Sequence, residues 1–192
     1  MVGYYSANEL QALGLAAVGE DVRISKTATL YNLANISIGS HVRIDNFCVI
    51  APSGPARLVI GDYSQISAFN FINGLGDVLL GDYFTTAPYT RIFTSSDDYS
   101  GEHLANATLP RELLGTVTAP VVAGRHVLIG TGSTILPGVR LAEGTAVGAH
   151  SLVTHDTEPF TIVGGVPARK LRERSRNLLQ LEQRHFSDNG FQ

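Results

Sequence analysis

Aliphatic residues recur at every sixth position through most of the chain, with polar or small residues between them. The six-residue register runs from Val18 to Ile92 with short slips, and it resumes from Ala123 to Val153. The residues that mark it, aliphatic except for Thr86, are Val18, Ile24, Leu30, Ile38, Ile44, Ile50, Ile60, Ile66, Ile72, Leu80, Thr86, Ile92, Ala123, Ile129, Ile135, Leu141, Val147 and Val153. A helical bundle would need a period of about 3.6 residues, so the pattern argues against one.

Six residues make one short strand and a corner, and three such hexads make a triangular coil. Stacked coils pair as parallel strands about 4.8 Å apart, so the aliphatic residues line up inside a prism. The second hexad position is often glycine, which permits a corner turn or a close backbone approach. The fifth position is mostly small, as at Val22, Cys48 and Ser64, because it lies near a corner. The pattern predicts an all-β fold, a three-sided parallel β-helix with Cys48 in its core.

Helix signals flank the repeat, and the whole chain is expected to form a single domain. In residues 1–17, Ser6 and Glu9 have the spacing of a capping box, which predicts a helix that caps the prism. The β-helix is predicted over 18–166, with an extended loop at 93–120 that fits no hexad. After Pro167 the composition favours a C-terminal α-helix over 167–187.

Composition and charge limit the possible functions. The 192 residues carry a net charge of −3 with a pI near 6.0, which argues against nucleic-acid or polybasic membrane binding. The single cysteine excludes an internal disulfide, and no Cys/His spacing indicates a metal site. The opening MVGYYSANEL does not look like a secretion signal, and no apolar run is long enough to span a membrane. We therefore expect a cytoplasmic protein.

The segment IGTGSTILPGVRLAEGTAVGAHSLV, followed by VGGVPARKL, resembles the hexapeptide-repeat acyltransferases. That resemblance implies a left-handed β-helix, a homotrimer with sites between subunits, and acetyl-CoA or another acyl-CoA as the donor. GYYSANEL, NISIGSHVRIDNFCVI, SSDDYSGE and RERSRNLLQLE are similar to segments of bacterial N-acyltransferases that act on TDP-4-amino-4,6-dideoxyglucose. The closer likeness implies a nucleotide-sugar substrate and a role in the synthesis of cell-surface glycans such as lipopolysaccharide.

The resemblance also implies where coenzyme A binds. Its pantetheine arm would lie along corners of the C-terminal coils, against backbone amides, and its phosphates would need cations. By position, the candidates are Gly130, Thr131, Gly148 and Ala149 for the arm, and Arg169 and Lys170 for the phosphates. Glycine and alanine also suit the corners for packing alone, and both explanations can hold together.

The loop at 93–120 gathers the polar residues expected to do chemistry. Asp97, Asp98, Glu102 and His103 lie within seven residues. A sugar hydroxyl needs a base beside it, whereas an amine with a pKa of about 8 is partly neutral at pH 7. An aspartate could orient the amine and accept a proton as it attacks, so Asp97 and then Asp98 are the first candidates. His103 is the second choice because its neighbours do not match the histidine motif of the O-acetyl-transferring relatives.

Candidates for binding the acceptor sugar are Asp45, Asn70, Asn73 and Glu102, of which the first three are polar interruptions of hexads that turn formation also explains. Two other functions remain open: sugar O-acetylation on the same fold, and a non-catalytic β-helix scaffold. A metal-dependent β-helix enzyme would need histidines converging from adjacent coils, and His126, His150 and His155 lack the expected intervals.

Overall fold

The computed structural model describes residues 3–188, so residues 1–2 of the predicted capping segment lie outside it. The first elements in chain order are α1 (Ala7–Ala12), β1 (Ala17–Val18), β2 (Arg23–Ile24), β3 (Thr29–Leu30), β4 (Ile36–Ile38), β5 (Arg43–Ile44), β6 (Val49–Pro52), β7 (Leu58–Ile60), β8 (Gln65–Ile66), β9 (Phe71–Gly74), β10 (Val78–Leu80), β11 (Thr85–Thr86) and β12 (Arg91–Phe93). They continue with β13 (Ser95–Ser96), β14 (Val117–Thr118), β15 (Val121–Ala123), β16 (Leu128–Ile129), β17 (Thr134–Ile135), β18 (Arg140–Leu141), β19 (Ala146–Val147), β20 (Leu152–Val153), β21 (Thr161–Gly165), β22 (Ala168–Glu173) and α2 (Asn177–Asp188).

The strands form the three faces of a prism. The first face has the order β1-β4-β7-β10-β15-β18, the second β2-β5-β8-β11-β16-β19-β21-β22, and the third β20-β17-β12-β9-β6-β3. Neighbouring strands within each face are parallel, apart from β22 at the end of the second. The prediction of a left-handed parallel β-helix is confirmed, and the prism has about seven turns.

The predicted aliphatic column is the core. Ile24, Ile44 and Ile66 lie fully buried at successive levels of the second face, and the buried Thr86 and then Ile129 continue the column. Each isoleucine side chain contributes about 1.5–3 kcal/mol by leaving water. Phe84 departs from the small-residue rule at the fifth position, and Ser64 in the preceding coil leaves room for its ring.

Of the two roles predicted for glycine at the second hexad position, the structure has close approach, and bulky residues at the corners adopt the left-handed conformation instead. At one corner, His41, Tyr63, Tyr83 and His126 have φ between 55° and 59°, and their rings stack in a column that we call the first corner column. At another corner, Phe47, Phe69 and Tyr89 stack with centroids 5.1 and 4.9 Å apart and stay about half exposed, forming the second corner column. Ring stacking offsets the backbone strain of positive φ.

Most glycines of the second hexad position serve close approach, and none of them has positive φ. A Cβ on Gly61 would lie 2.6 Å from the backbone nitrogen of Asp82 in the next coil, and one on Gly130 would lie 2.6 Å from that of Ala149. A side chain at either position would therefore force adjacent coils apart.

The N-terminal prediction is confirmed, and the C-terminal one is wrong at its start. The side chain of Ser6 accepts a hydrogen bond from the backbone of Glu9, the Glu9 carboxylate accepts one from the Ser6 N–H, and Leu10 of α1 packs on the core. Residues 168–173 form β22, antiparallel to β21, and the helix begins only at Asn177. The segment pairs with the otherwise open edge of the second face, which satisfies its backbone groups better than an isolated helical turn would.

The predicted loop at 93–120 is shorter by one residue, because Phe93 still pairs with Asn73 of β9. We call residues 94–120 the arm. It leaves the prism between β12 and β15, and an antiparallel pair, β13 with β14, forms its base. A 3₁₀ turn at Arg111–Leu113 and a bridge between Leu104 and Leu114 give its outer part a defined backbone.

Two further observations bear on location and metal chemistry. Between residues 3 and 188, no helix is both long and apolar enough to cross a bilayer. In the same part of the chain, no three His, Cys, Asp or Glu side chains are grouped to hold a metal ion.

Cys48 should resist thiol reagents in the folded protein. It is fully buried, and burial raises the pKa of its thiol to about 11. About one such thiol in a thousand would be ionised at pH 8, and the thiolate is the reactive form. We expect no modification by iodoacetamide in native buffer and stoichiometric modification in denaturant, measured by mass spectrometry. Rapid native modification would contradict the core placement.

Candidate active site

Asp98 organises the tip of the arm. Its carboxylate accepts hydrogen bonds from the Ser100 N–H (2.8 Å), the Ser100 hydroxyl (2.9 Å) and the His103 N–H (3.1 Å). The bonds from Ser100, followed by those from His103, hold the pKa of the Asp98 carboxyl well below its usual range. A carboxylate stabilised in this way is a weak proton acceptor, so Asp98 fits a structural role better than a catalytic one.

His103 is held by the same carboxylate. Its Nδ1 lies 3.0 Å from Oδ2 of Asp98, and its ring packs over Gly115, where a Cβ would come within 2.5 Å of Nδ1. The side chain is half exposed, so Nε2 can face solvent or a ligand. An imidazole fixed by a carboxylate is an arrangement that can take a proton from a hydroxyl nucleophile.

Asp97 differs from its neighbour because its carboxylate accepts no hydrogen bond from residues 3–188. Its side chain borders two adjoining clefts at the base of the arm. The prism-side cleft, about 480 Å³, is lined by Asn73, Phe93, Ser95, Ser96, Asp97, Tyr99, Ala107, Thr116, Leu136 and Pro137. The arm-side cleft, about 470 Å³, is lined by Leu75, Ser95, Asp97, Ala107, Leu109, Arg111, Leu114, Thr116 and Thr118. Of the two aspartates, Asp97 is the one placed to meet a ligand.

The predicted donor residues lie on one corner, in register with one another. Pro88, Thr131 and Ala149 occupy equivalent positions in three successive coils. Proline has no N–H, so the fold does not use the donor at this position, and the N–H groups of Thr131 and Ala149 have no acceptor in the described part of the chain. Two backbone donors one coil apart can bind the amide carbonyls of an extended ligand.

The two predicted glycines are not equivalent. Packing alone explains Gly130, whose Cβ would meet the next coil. At Gly148 a Cβ would lie 3.4 Å from the Val163 carbonyl oxygen, an ordinary contact. Gly148 is therefore not required by packing, and its open surface leaves room for a ligand beside Ala149.

Arg169 and Lys170 line a third cleft of about 210 Å³, near β21 and β22. Lys170 Nζ lies 2.6 Å from Glu158 and 2.6 Å from Glu173, and these carboxylates raise the pKa of Lys170 to about 12. The Arg169 guanidinium bonds only to the Ala168 carbonyl oxygen within the described residues, at 2.9 Å. Arg169 is the cation with more free capacity for a phosphate.

Three predicted acceptor residues are not brought to the clefts. Asp45 lies on the second face, where Arg43 donates to both its oxygens at 2.7 and 2.9 Å. Asn70 is only 2% exposed, and its amide donates to the carbonyl oxygens of Ser67 and Ala87 inside the prism, so it cannot contact a sugar. Glu102 is exposed on the arm and lines neither cleft. Asn73 alone joins Asp97, in the prism-side cleft.

Sequence reasoning missed the contacts that hold the C-terminal segment on the prism. Glu182 of α2 accepts from Arg125, and its Oε2 lies 2.7 Å from His126 Nε2. Tyr83 stacks on His126 in the first corner column, and burial and the Glu182 charge raise the pKa of Tyr83 to about 12. Arg174 donates to the carbonyl oxygen of His126 at 2.8 Å. No local pattern could reveal pairs separated by 48 to 57 positions.

Comparisons with known proteins identify relatives of the whole chain. The chain is 41% identical over 181 residues to a dTDP-4-amino-4,6-dideoxy-D-glucose acyltransferase of Escherichia coli, covering 94% of each chain. Its structure matches AntD, an N-acyltransferase from Bacillus cereus in complex with dTDP and 3-hydroxybutyryl-CoA. The TM-score is 0.93 at 37% identity, covering 98% of this chain and 99% of that one.

A single-residue variant of AntD in complex with dTDP-4-amino-4,6-dideoxyglucose and coenzyme A matches with a TM-score of 0.90 at 36% identity, over 98% of this chain and 99% of that one. No protein-family model matches the chain.

Proposed function

Since the chain belongs to the family of dTDP-4-amino-4,6-dideoxy-D-glucose acyltransferases, we propose that it transfers an acyl group from acyl-CoA to the amino group of a dTDP-linked 4-amino-4,6-dideoxy sugar. It is an acyl-CoA-dependent N-acyltransferase. We place the reaction at Asp97, because its carboxylate is free and borders two clefts large enough for a sugar nucleotide.

Asp97 binds and orients the substrate amine. An amine with a pKa of about 8 is mostly protonated at pH 7, and an unpaired carboxylate attracts that cation. The bound ammonium loses its first proton to solvent, and the neutral amine attacks the thioester carbonyl while Asp97 accepts the second proton as the new C–N bond forms. Collapse of the intermediate breaks the C–S bond, and the thiolate of coenzyme A leaves with the proton that Asp97 received.

The donor lies along the corner of Thr131 and Ala149. Their unused N–H groups bind the carbonyl oxygens of pantetheine, and the open surface at Gly148 leaves room for the pantetheine chain of coenzyme A. Arg169, with Lys170 beside it, binds the phosphates.

Replacing Arg169 by glutamine should raise KM for acetyl-CoA by about 10-fold with little change in kcat, because a charge-assisted contact to the donor is lost. Lys170→Gln is the matched variant and should raise KM by less than about threefold, since Glu158 and Glu173 already occupy this cation. Steady-state kinetics at saturating acceptor measure both. An equal or larger effect at Lys170 would contradict the assignment.

The assembly is a homotrimer with its sites between subunits, the compartment is the cytoplasm, and the pathway makes cell-surface polysaccharide such as lipopolysaccharide. Exposed apolar side chains support this assembly, because contacts between copies of the chain would bury them. Tyr99 is 94% exposed on the arm, and Leu104 and Val117 are also exposed there. The second corner column is a further apolar surface without a described partner. The whole chain acts as one domain in each subunit.

O-acylation of a sugar is the second candidate, and the Asp98–His103 pair is the observation that favours it. Incubation with acetyl-CoA and either dTDP-4-amino-4,6-dideoxyglucose or its 4-hydroxy counterpart distinguishes N-acylation from O-acylation. The release of the coenzyme A thiol is measured with a reagent that gives a coloured product. We expect turnover with the amino compound only. Turnover with the hydroxyl compound alone would overturn N-acylation, and no binding of coenzyme A would favour a scaffold.

A further inference from the structure

Arg111 is an unpaired cation on the wall of the arm-side cleft. It begins the 3₁₀ turn of the arm, and its side chain lines the cleft while remaining exposed. Some arginines of the prism are engaged, as Arg43 is by Asp45 and Arg57 by Asp77. What distinguishes Arg111 is that it lines the arm-side cleft. Within residues 3–188, the guanidinium of Arg111 has no ion pair or hydrogen bond. A free, planar group with several donors is suited to a phosphate.

The charges of the two clefts are few and opposite. Among the described residues that line them, Asp97 is the sole acid and Arg111 the sole base. Glu112 follows Arg111 in the chain but lines neither cleft and forms no ion pair with it. The arm-side cleft therefore presents one negative and one positive group to whatever enters it.

The rest of the lining of this cleft is mixed. Leu75, Ala107, Leu109 and Leu114 are apolar, and Ser95, Thr116 and Thr118 carry hydroxyl groups. Such a lining suits a ligand with both hydrocarbon and polar surface, and the two charges select one that carries both an ammonium and an anion. A deoxy sugar with an amine and a linked diphosphate has this combination of groups.

We infer that Arg111 binds the diphosphate of the sugar nucleotide while Asp97 binds its amine, an inference that rests on the proposed function. The two contacts orient the sugar in one direction within the cleft. Acceptors without the diphosphate lose the contact to Arg111 and bind more weakly. The arm thereby has two functions: Arg111 makes the site selective for a nucleotide-linked sugar, and Asp97 receives the proton of the amine.

Equilibrium binding of dTDP tests the contact without requiring turnover. By isothermal titration calorimetry, Arg111→Gln should weaken dTDP binding by about 10-fold to 100-fold, and Arg111→Lys should retain part of the affinity. Arg184→Gln removes an exposed arginine of α2 and is the matched control, with unchanged affinity expected. Thymidine has no phosphate, so its weak binding should be equal in wild type and Arg111→Gln.

Unchanged dTDP binding by Arg111→Gln would overturn the inference, as would failure of the wild-type protein to bind dTDP. A parallel loss of thymidine affinity would also overturn it, because the residue would then act on the shape of the arm. In kinetics, the variant should raise KM for the sugar nucleotide by the same factor with kcat changed less than about threefold. If no amino-sugar nucleotide is acylated but the dTDP result holds, the proposed function fails and the anion site stands.

Discussion

Replacing Asp97 by asparagine is expected to lower kcat for the amino acceptor by at least about 100-fold at pH 7, within the range for loss of a positioned proton acceptor. The amide keeps the size of the side chain but neither attracts the ammonium nor takes its proton. Because solvent base can replace the lost function at higher pH, the deficit should narrow from pH 7 to pH 9. Initial rates of thiol release across this range measure the effect.

Two variants on the same arm serve as controls. His103→Ala should change kcat less than about threefold for an amino acceptor, since the amine needs no imidazole. Asp98→Asn removes the acceptor for Ser100 and His103, so it should loosen the arm and raise KM for the acceptor more than it lowers kcat. Loss of activity in His103→Ala with a fully active Asp97→Asn would reverse the roles given to these residues.

Replacing Phe84 by alanine is expected to cost about 3–5 kcal/mol of the free energy of unfolding, the largest stability effect we expect of a single substitution here. The ring is fully buried in the prism, beside the small Ser64, and the stacked coils cannot close the resulting cavity. Urea denaturation followed by circular dichroism measures the change, provided that unfolding is two-state and that protein concentration is held constant.

Val59→Ala is the matched control, since Val59 points outward from β7 and is 37% exposed. Its cost should stay below about 1 kcal/mol. Equal losses in the two variants would mean that the interior of the prism is not the main source of stability.

The sequence was sufficient to predict the architecture because the core is periodic. Ile24, Ile44 and Ile66 are in register on the second face, and each points its side chain into the interior of the prism. The corners were less predictable, since positive φ at Tyr63 and Tyr83 is stabilised by ring stacking between coils 20 residues apart. The start of α2 was misplaced for a related reason: helix-forming composition in 168–173 is outweighed by pairing with the edge of β21.

The site was predictable to the level of segments and residue types. Asp97 and Asp98 are adjacent in the sequence, which does not indicate which carboxylate is free, because that depends on the turn in which Ser100 and His103 donate to Asp98. Asn70 was indistinguishable from an exposed turn residue until its burial was known. Arg111 carried no sequence signal, since its place on the cleft wall follows from the fold of the arm.

The position of the acyl group in the product distinguishes N-acylation from O-acylation. The protein is incubated with acetyl-CoA labelled with ¹³C in the carbonyl and with dTDP-4-amino-4,6-dideoxyglucose, and the product is analysed by NMR. We expect a labelled amide at the sugar nitrogen, with a correlation between the labelled carbonyl and the C4 proton through the amide. An ester at a hydroxyl group, or unchanged substrate in the presence of bound coenzyme A, would contradict it.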